Sequence, residues 1–163
     1  MKVLIIGGIK SGKSSFAEDL AKKMAKKKPY YLATTEFIDK EMKKKIKKHK
    51  KQRKDSFITI EEAIKLHKKI KKLDDVVLIE DISMWINNML YHKKEKKIFL
   101  SIKKLLHLEQ DIVFVINNVS ESIIPATKLS RDFTTYNGLV AQIIAKECDS
   151  VYELVAGIGK KIK

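Results

Sequence analysis

Lys13 and Ser14, preceded by Gly7 and Gly12, have the types and spacing needed to hold phosphate. They belong to Gly7-Gly8-Ile9-Lys10-Ser11-Gly12-Lys13-Ser14, which fits G-x-x-x-x-G-K-[ST] at every fixed position. The glycines admit backbone conformations that a Cβ disfavours, so successive N–H groups can converge on one concavity. A helix starting at Lys13 adds its unpaired amides and partial positive charge at the same spot. Lys13 then supplies a point charge to the β/γ-phosphates, and the Ser14 hydroxyl is a ligand for Mg²⁺. A plain glycine turn between a strand and a helix would need neither the lysine nor the serine. The reading is a nucleoside triphosphate site spanning all eight residues, with Lys13 also acting in catalysis.

A phosphate loop needs a carboxylate beside the β/γ-phosphates, and an apolar strand ending in an acid is its expected source. Val76-Val77-Leu78-Ile79 is such a strand, and Glu80 or Asp81 can fill the role. A second group stands out by its helical spacing. Ile38, Met42, Ile46, His49 and Arg53 fall on one face of a helix predicted from Asp39 to about Gln52, with lysines around the rest. From spacing alone His49 reads first as a packing residue, and the alternative is a nucleophilic imidazole directed at a nucleotide α-phosphorus. His67, His92 and His107 show no metal-ligand spacing and read as surface or packing residues. Trp85 reads as core, and Cys148 as a small buried apolar residue.

The elements that must position these groups alternate strand with helix, the pattern of an α/β fold with a mainly parallel sheet. Strands are predicted at Val3–Ile6, Tyr30–Thr34, Phe57–Ile60, Val76–Ile79, Ile112–Ile116 and Val151–Val155. Helices are predicted from Lys13 to about Lys27, Asp39 to Gln52, Glu61 to Lys72, Ser83 to Tyr91, Glu95 to Leu108 and Thr127 to Glu147. Gly157 and Gly159 turn the chain into a terminal Lys160–Lys163 segment. No repeat, linker or second-domain boundary shows, so residues 1–163 read as one nucleotide-binding domain.

The formal net charge is +15, yet Arg53 and Arg131 are the only arginines among 35 basic residues. Blocks of lysine without arginine or interleaved aromatics make solvated helix faces rather than base-reading surfaces, so no specific nucleic acid is expected. A single cysteine fits a reducing cytosol. No apolar run reaches about 18 residues and the chain enters a strand directly, so a cytoplasmic protein without a membrane span is expected.

Taken in order, the motifs resemble one family nearly end to end: the bifunctional adenosylcobinamide kinase/adenosylcobinamide-phosphate guanylyltransferase of cobalamin biosynthesis. GGIKSGKSSFAEDLA resembles its opening loop and helix, and YLATTEFIDKEMKKKIKKHKKQR its second strand and D-x-E-M-x-x-x-I-x-x-H-x-x-x-R helix. VVLIEDISMWINNML is similar to its acid-ended strand, with Glu80 at the acid and Asn88 at a common asparagine. IIPATKLSRDF and LVAGIGKKIK are similar to its I-V-P-x-x-x-L-x-R-x-F and closing A-G-x-x-x-x-x-K segments.

The resemblance implies a P-loop NTPase-like three-layer sandwich. It also implies two reactions: phosphorylation of adenosylcobinamide with ATP or GTP, then GMP transfer from GTP onto that phosphate through a guanylyl-histidine. His49 matches the guanylylated histidine. Thr34, Thr35, Lys50, Lys51, Gln52, Arg53 and Glu61 match nucleotide-contacting positions, Ser14 and Glu80 the Mg²⁺ site, and a homotrimer is implied. The chain departs from the family pattern at Asn117–Ser122, where N-E-V-G-x-G is usual, and at Phe133–Gln142, where F-R-D-x-x-G-x-x-N-Q is usual. A divergent relative keeping one activity or acting on another substrate, or a non-catalytic nucleotide-binding regulator, stays open beside the two-step enzyme.

Overall fold

The computed structural model describes residues 1–36, 55–119 and 125–163. The predicted Asp39–Gln52 helix, with His49, Lys50, Lys51, Gln52 and Arg53, lies outside the described residues. Among the described residues seven strands form one sheet: β1 (Lys2–Gly7), β2 (Tyr30–Ala33), β3 (Ile58–Glu61), β4 (Val77–Glu80), β5 (Ile112–Asn117), β6 (Ser150–Val155) and β7 (Ile158–Lys161). Their order is β3-β2-β4-β5-β1-β6-β7, and every pairing among them is parallel except β6 with β7. The carboxyl ends of β1, β4 and β2 therefore open on the same edge of the sheet, where the chemistry-bearing residues cluster.

Five described α-helices cover the sheet: α1 (Lys13–Met24), α2 (Leu66–Ile70), α3 (Ile82–Tyr91), α4 (Ile98–Leu106) and α5 (Lys128–Glu147). β1 alternates between two cores: Val3 and Ile5 pack with Ala17 and Ala21 of α1, whereas Leu4 packs with Trp85, Val140 and Ile144. That double burial explains why β1, β4 and β5 are continuous apolar runs. Trp85 is fully buried and its indole donates to the Ile64 carbonyl at 3.0 Å.

The structure corrects three expectations, each for a local reason. Helix α1 stops at Met24 rather than near Lys27, because the Lys26 and Lys27 amides donate to the Asp75 carboxylate instead of to carbonyls one turn back. The helix expected over Glu61–Lys72 shrinks to Leu66–Ile70. Glu61 extends β3 opposite Ala33, and the Glu62 carboxylate accepts from the Ile64 and Lys65 amides at 2.9 and 2.7 Å. The Ala63 and Ile64 carbonyls meanwhile go to Asn88 and Trp85, so tertiary partners take the groups a longer helix would need.

The third correction is the C-terminus, where Ile158–Lys161 forms an antiparallel seventh strand. Ala156 and Gly157 turn the hairpin with φ of 51° and 84°, the positive-φ pair that suits two-residue hairpins. Two glycines fit this hairpin into the fold. A Cβ at Gly159 would sit 2.6 Å from the Phe16 ring, and one at Gly12 would sit 2.9 Å from Gly157 Cα.

Cys148 closes α5, is 2% exposed, and has its thiol pushed up to about 12 by burial. A raised thiol pKa leaves almost no thiolate at pH 8, so iodoacetamide should modify the protein only after denaturant is added; rapid labelling of the native chain would contradict this packing. Gly12 has φ of 94° as well as its steric limit, so Gly12→Ala should lower stability by about 1–3 kcal/mol in urea unfolding.

Candidate functional site

The site forms where β1 ends and α1 begins. Gly7 cannot carry a Cβ, which would lie 2.5 Å from the Leu154 carbonyl oxygen and 2.7 Å from Ser11 Oγ. From there the loop rises through Gly8, exposed Ile9 and Lys10, the last at φ 57°, and descends through buried Ser11. Gly12 caps α1 by geometry alone, with no side-chain hydrogen bond. The first amides of α1 are thus directed at the loop, and its first turn carries no acidic residue to satisfy them.

Lys13 is 7% exposed, and its ammonium folds back across the loop to donate to the Gly8 carbonyl at 2.5 Å. Burial lowers its pKa, and the nearby Glu80 and Asp81 carboxylates pull it back up. Ser14 lies one residue further on and donates its hydroxyl to Glu80 Oε1 at 2.6 Å, across 66 positions of sequence. Glu80 Oε2 is buried with no hydrogen-bond partner among the described residues, and burial pushes the carboxyl up to about 7 although the Ser14 bond opposes this. Ser11 Oγ is a second buried polar atom in the same cradle without a partner among those residues. Amides, a cation and a hydroxyl surrounding one concavity can hold a polyphosphate.

A hydroxyl and a carboxylate with an unpartnered oxygen form a hard-oxygen donor pair of the kind Mg²⁺ takes alongside substrate phosphates. Among the described residues no group of three or more His, Cys, Asp or Glu could hold a metal without such help. The residues present fit a phosphate-supported Mg²⁺.

Around this centre runs a polar frame. Asp81 caps α3 by accepting from the Met84 amide at 2.6 Å, and its other oxygen accepts from Asn117 Nδ2 at 3.2 Å. Thr34 is wholly buried; its hydroxyl donates to the Asp81 carbonyl at 2.8 Å and accepts from the Asp81 amide at 3.1 Å. Asn88 donates to the Thr34 carbonyl at 2.7 Å, Ser83 accepts from the Asn117 amide, and Asn137 donates to the Asn117 carbonyl at 2.8 Å. Thr34 therefore sits in the frame behind the acids, with half-buried Thr35 following it. Asn117 and Asn137 lie in the two segments that depart from the resembled pattern. Their polar types alone gave no signal that they would meet beneath Asp81.

Glu61 is exposed at the carboxyl end of the edge strand β3, two strands from Glu80 and on the side away from β6. At about 4.8 Å per strand that is roughly 10 Å, within reach of a nucleotide whose phosphates lie at Ser14. A groove of about 780 Å³ beside it is lined by Glu61, Glu62, Lys65, Lys68, Lys69 and Lys72 among others. His67 is partly buried and His107 donates to its own helix through the Lys103 carbonyl. His92 meets Glu36 at 2.8 Å on the surface. No described helix is long and apolar enough to cross a membrane.

Comparisons with known proteins bear on the family and the fold. The family model described as cobinamide kinase / cobinamide phosphate guanyltransferase matches residues 3–162. The bifunctional adenosylcobalamin biosynthesis protein CobU of Salmonella typhimurium is 33% identical, and that of Escherichia coli 31% identical, each over 183 residues and the whole of both chains. The corresponding CobP of Pseudomonas aeruginosa is 29% identical across this whole chain and 98% of its own length. Among solved structures, the flagellar accessory protein FlaH of Methanocaldococcus jannaschii superposes with a TM-score of 0.50 over 99% of this chain and 77% of its own, at 16% identity. A solved ATPase domain gives 0.51 over 93% and 68%, at 14% identity. These structural likenesses establish the fold, a P-loop ATPase-like α/β sheet. With the family model covering nearly every residue and full-length relatives at this level of identity, the chain belongs to the cobinamide kinase / cobinamide phosphate guanyltransferase family, nucleotide-using enzymes of cobalamin biosynthesis.

Proposed function

We propose that this chain phosphorylates the aminopropanol hydroxyl of adenosylcobinamide with ATP or GTP, then transfers GMP from GTP to the new phosphate, giving adenosylcobinamide-GDP and pyrophosphate. The observation that carries the reading is the convergence of Lys13, Ser14 and Glu80 on one cradle in a member of this family. The loop amides from Gly7 to Ser14 orient the phosphates, and Lys13 exchanges its Gly8 carbonyl for phosphate oxygens. Ser14 and Glu80 would hold Mg²⁺, which when bound neutralises charge on the β/γ-phosphates. Thr34 contributes by holding the Glu80–Asp81 corner, and Thr35 contacts the nucleotide.

In the transfer step a ring nitrogen of His49 attacks the α-phosphorus of GTP; a P–N bond forms and the bond to pyrophosphate breaks. An oxygen of adenosylcobinamide phosphate then attacks the same phosphorus, the P–N bond breaks, and His49 returns to its starting form. Lys50, Lys51, Gln52 and Arg53 stabilise charge developing on the phosphates. Glu61 accepts from guanine N1–H and N2–H₂, donors that adenine lacks at those positions. Residues 1–163 act as one domain, in the cytoplasm, as a homotrimer.

Two measurements test this. With GTP labelled on the α-phosphate, the protein should acquire an acid-labile, base-stable label that adenosylcobinamide phosphate discharges as adenosylcobinamide-GDP. His49→Ala should take up none; a wild-type protein that binds GTP without acquiring label would remove the covalent step. Lys13→Ala should weaken ATP and GTP binding at least about tenfold by calorimetry, the scale of a lost charge-assisted contact to phosphate.

A further inference from the structure

The hairpin at the end of the chain lies against the phosphate loop. The Gly157 amide donates to the Ser11 carbonyl at 2.9 Å, and Gly12 and Gly157 are both glycine at a contact that leaves no room for a Cβ on Gly12. At its tip Val155 pairs with Ile158, so their side chains share one face of the hairpin. They are 63% and 74% exposed, and Ile9, at the crest of the loop itself, is 87% exposed. Three large aliphatic side chains held in water beside a polar cradle contribute nothing to the fold's own core.

We propose that this tip, together with Ile9, is a stacking surface for the purine of the triphosphate that donates a phosphoryl group from the loop. The proposal rests on the phosphate-binding reading of Gly7–Ser14. Phosphates fixed at the loop keep the attached ribose and base close to it, and the backbone bond to Ser11 holds the tip beside that loop. The surface is distinct from the Glu61 edge. β3 and β6 are five strand positions apart, about 24 Å at the usual spacing, so one base cannot touch both. Its side chains offer carbon and no hydrogen-bonding group, so it accepts adenine and guanine alike, whereas Glu61 selects guanine. One phosphate cradle thus serves two base surfaces on opposite sides, a tolerant one for phosphorylation and a selective one for guanylyl transfer.

Calorimetry with ATP and with inorganic tripolyphosphate, both with Mg²⁺, separates the base from the phosphates. Val155→Thr/Ile158→Thr keeps β-branched residues in the hairpin and should weaken ATP about tenfold, the scale of removing two methyl groups from an apolar contact, while leaving tripolyphosphate unchanged. In a Glu61→Ala background GTP should weaken to the same degree. Ile158→Trp should show fluorescence quenching by ATP but not by tripolyphosphate, against the buried Trp85. Unchanged ATP affinity in the double variant, or a parallel loss for tripolyphosphate, overturns the stacking surface. Lys13→Ala that binds both ligands like the wild type would instead overturn the phosphate reading beneath it.

Discussion

The 2.6 Å hydrogen bond from Ser14 to Glu80 is the contact on which the site depends. It joins the first turn of α1 to the end of β4 and so fixes how far the loop's amides stand from the acid across the cradle. Burying a carboxylate with one unpartnered oxygen is unfavourable, and the rise of Glu80 to about 7 reflects that. Lys13 is a buried cation on the opposite side of the same space, its own pKa lowered by the same desolvation. Neither group has its full complement of partners among the described residues. A polyanion with its counter-cation would supply both deficits at once, which is why the arrangement suits a metal–polyphosphate better than either ion alone.

The rest of the fold holds that contact in place from two directions. On one side, Thr34, Asp81, Asn117 and Asn137 form a chain of hydrogen bonds across the heads of β2, β4 and β5. Because Asp81 also caps α3, moving the Glu80 corner would uncap a helix as well as break the chain. On the other side, the hairpin of β6 and β7 braces the loop through the Gly157–Ser11 bond and the Gly159–Phe16 contact. The glycines here are spacing devices: each lets two pieces of backbone or a ring approach closer than a side chain would allow.

Much of this was legible in the sequence because it is local. The strand, glycine loop and helix of Val3 to Ala21 are specified by contiguous residue types, as are the apolar runs of β4 and β5 and the full burial of Trp85. What was not legible depends on distant partners. Glu61–Lys72 has helical periodicity, but Trp85 and Asn88 claim the carbonyls at its start. Gly157 to Gly159 reads as a turn into a terminal Lys160–Lys163 segment because glycine and lysine have low strand propensity; pairing of Ile158–Lys161 with β6 and the fit around Phe16 override that preference. Asn137 carries no motif, and only the topology shows that it supports Asp81 through Asn117.

The same distinction bears on the segments where the chain departs from the resembled pattern. Asn117, which keeps the first residue of N-E-V-G-x-G, ends β5, and Asn137, at an unspecified position of the second pattern, sits on the buried face of α5 beneath it; the two form one hydrogen-bonded unit. Asn137 Oδ1 and Asn88 Oδ1 are buried and unpartnered among the described residues while their Nδ2 groups are engaged. Each asparagine thus spends its donors on a backbone carbonyl at the head of the sheet, which fixes the strand ends rather than reaching outward for ligand. The asparagines thus belong to the frame behind the acids, while the residues that face the cradle (Gly7, Gly12, Lys13, Ser14 and Glu80) keep the pattern phosphate chemistry requires.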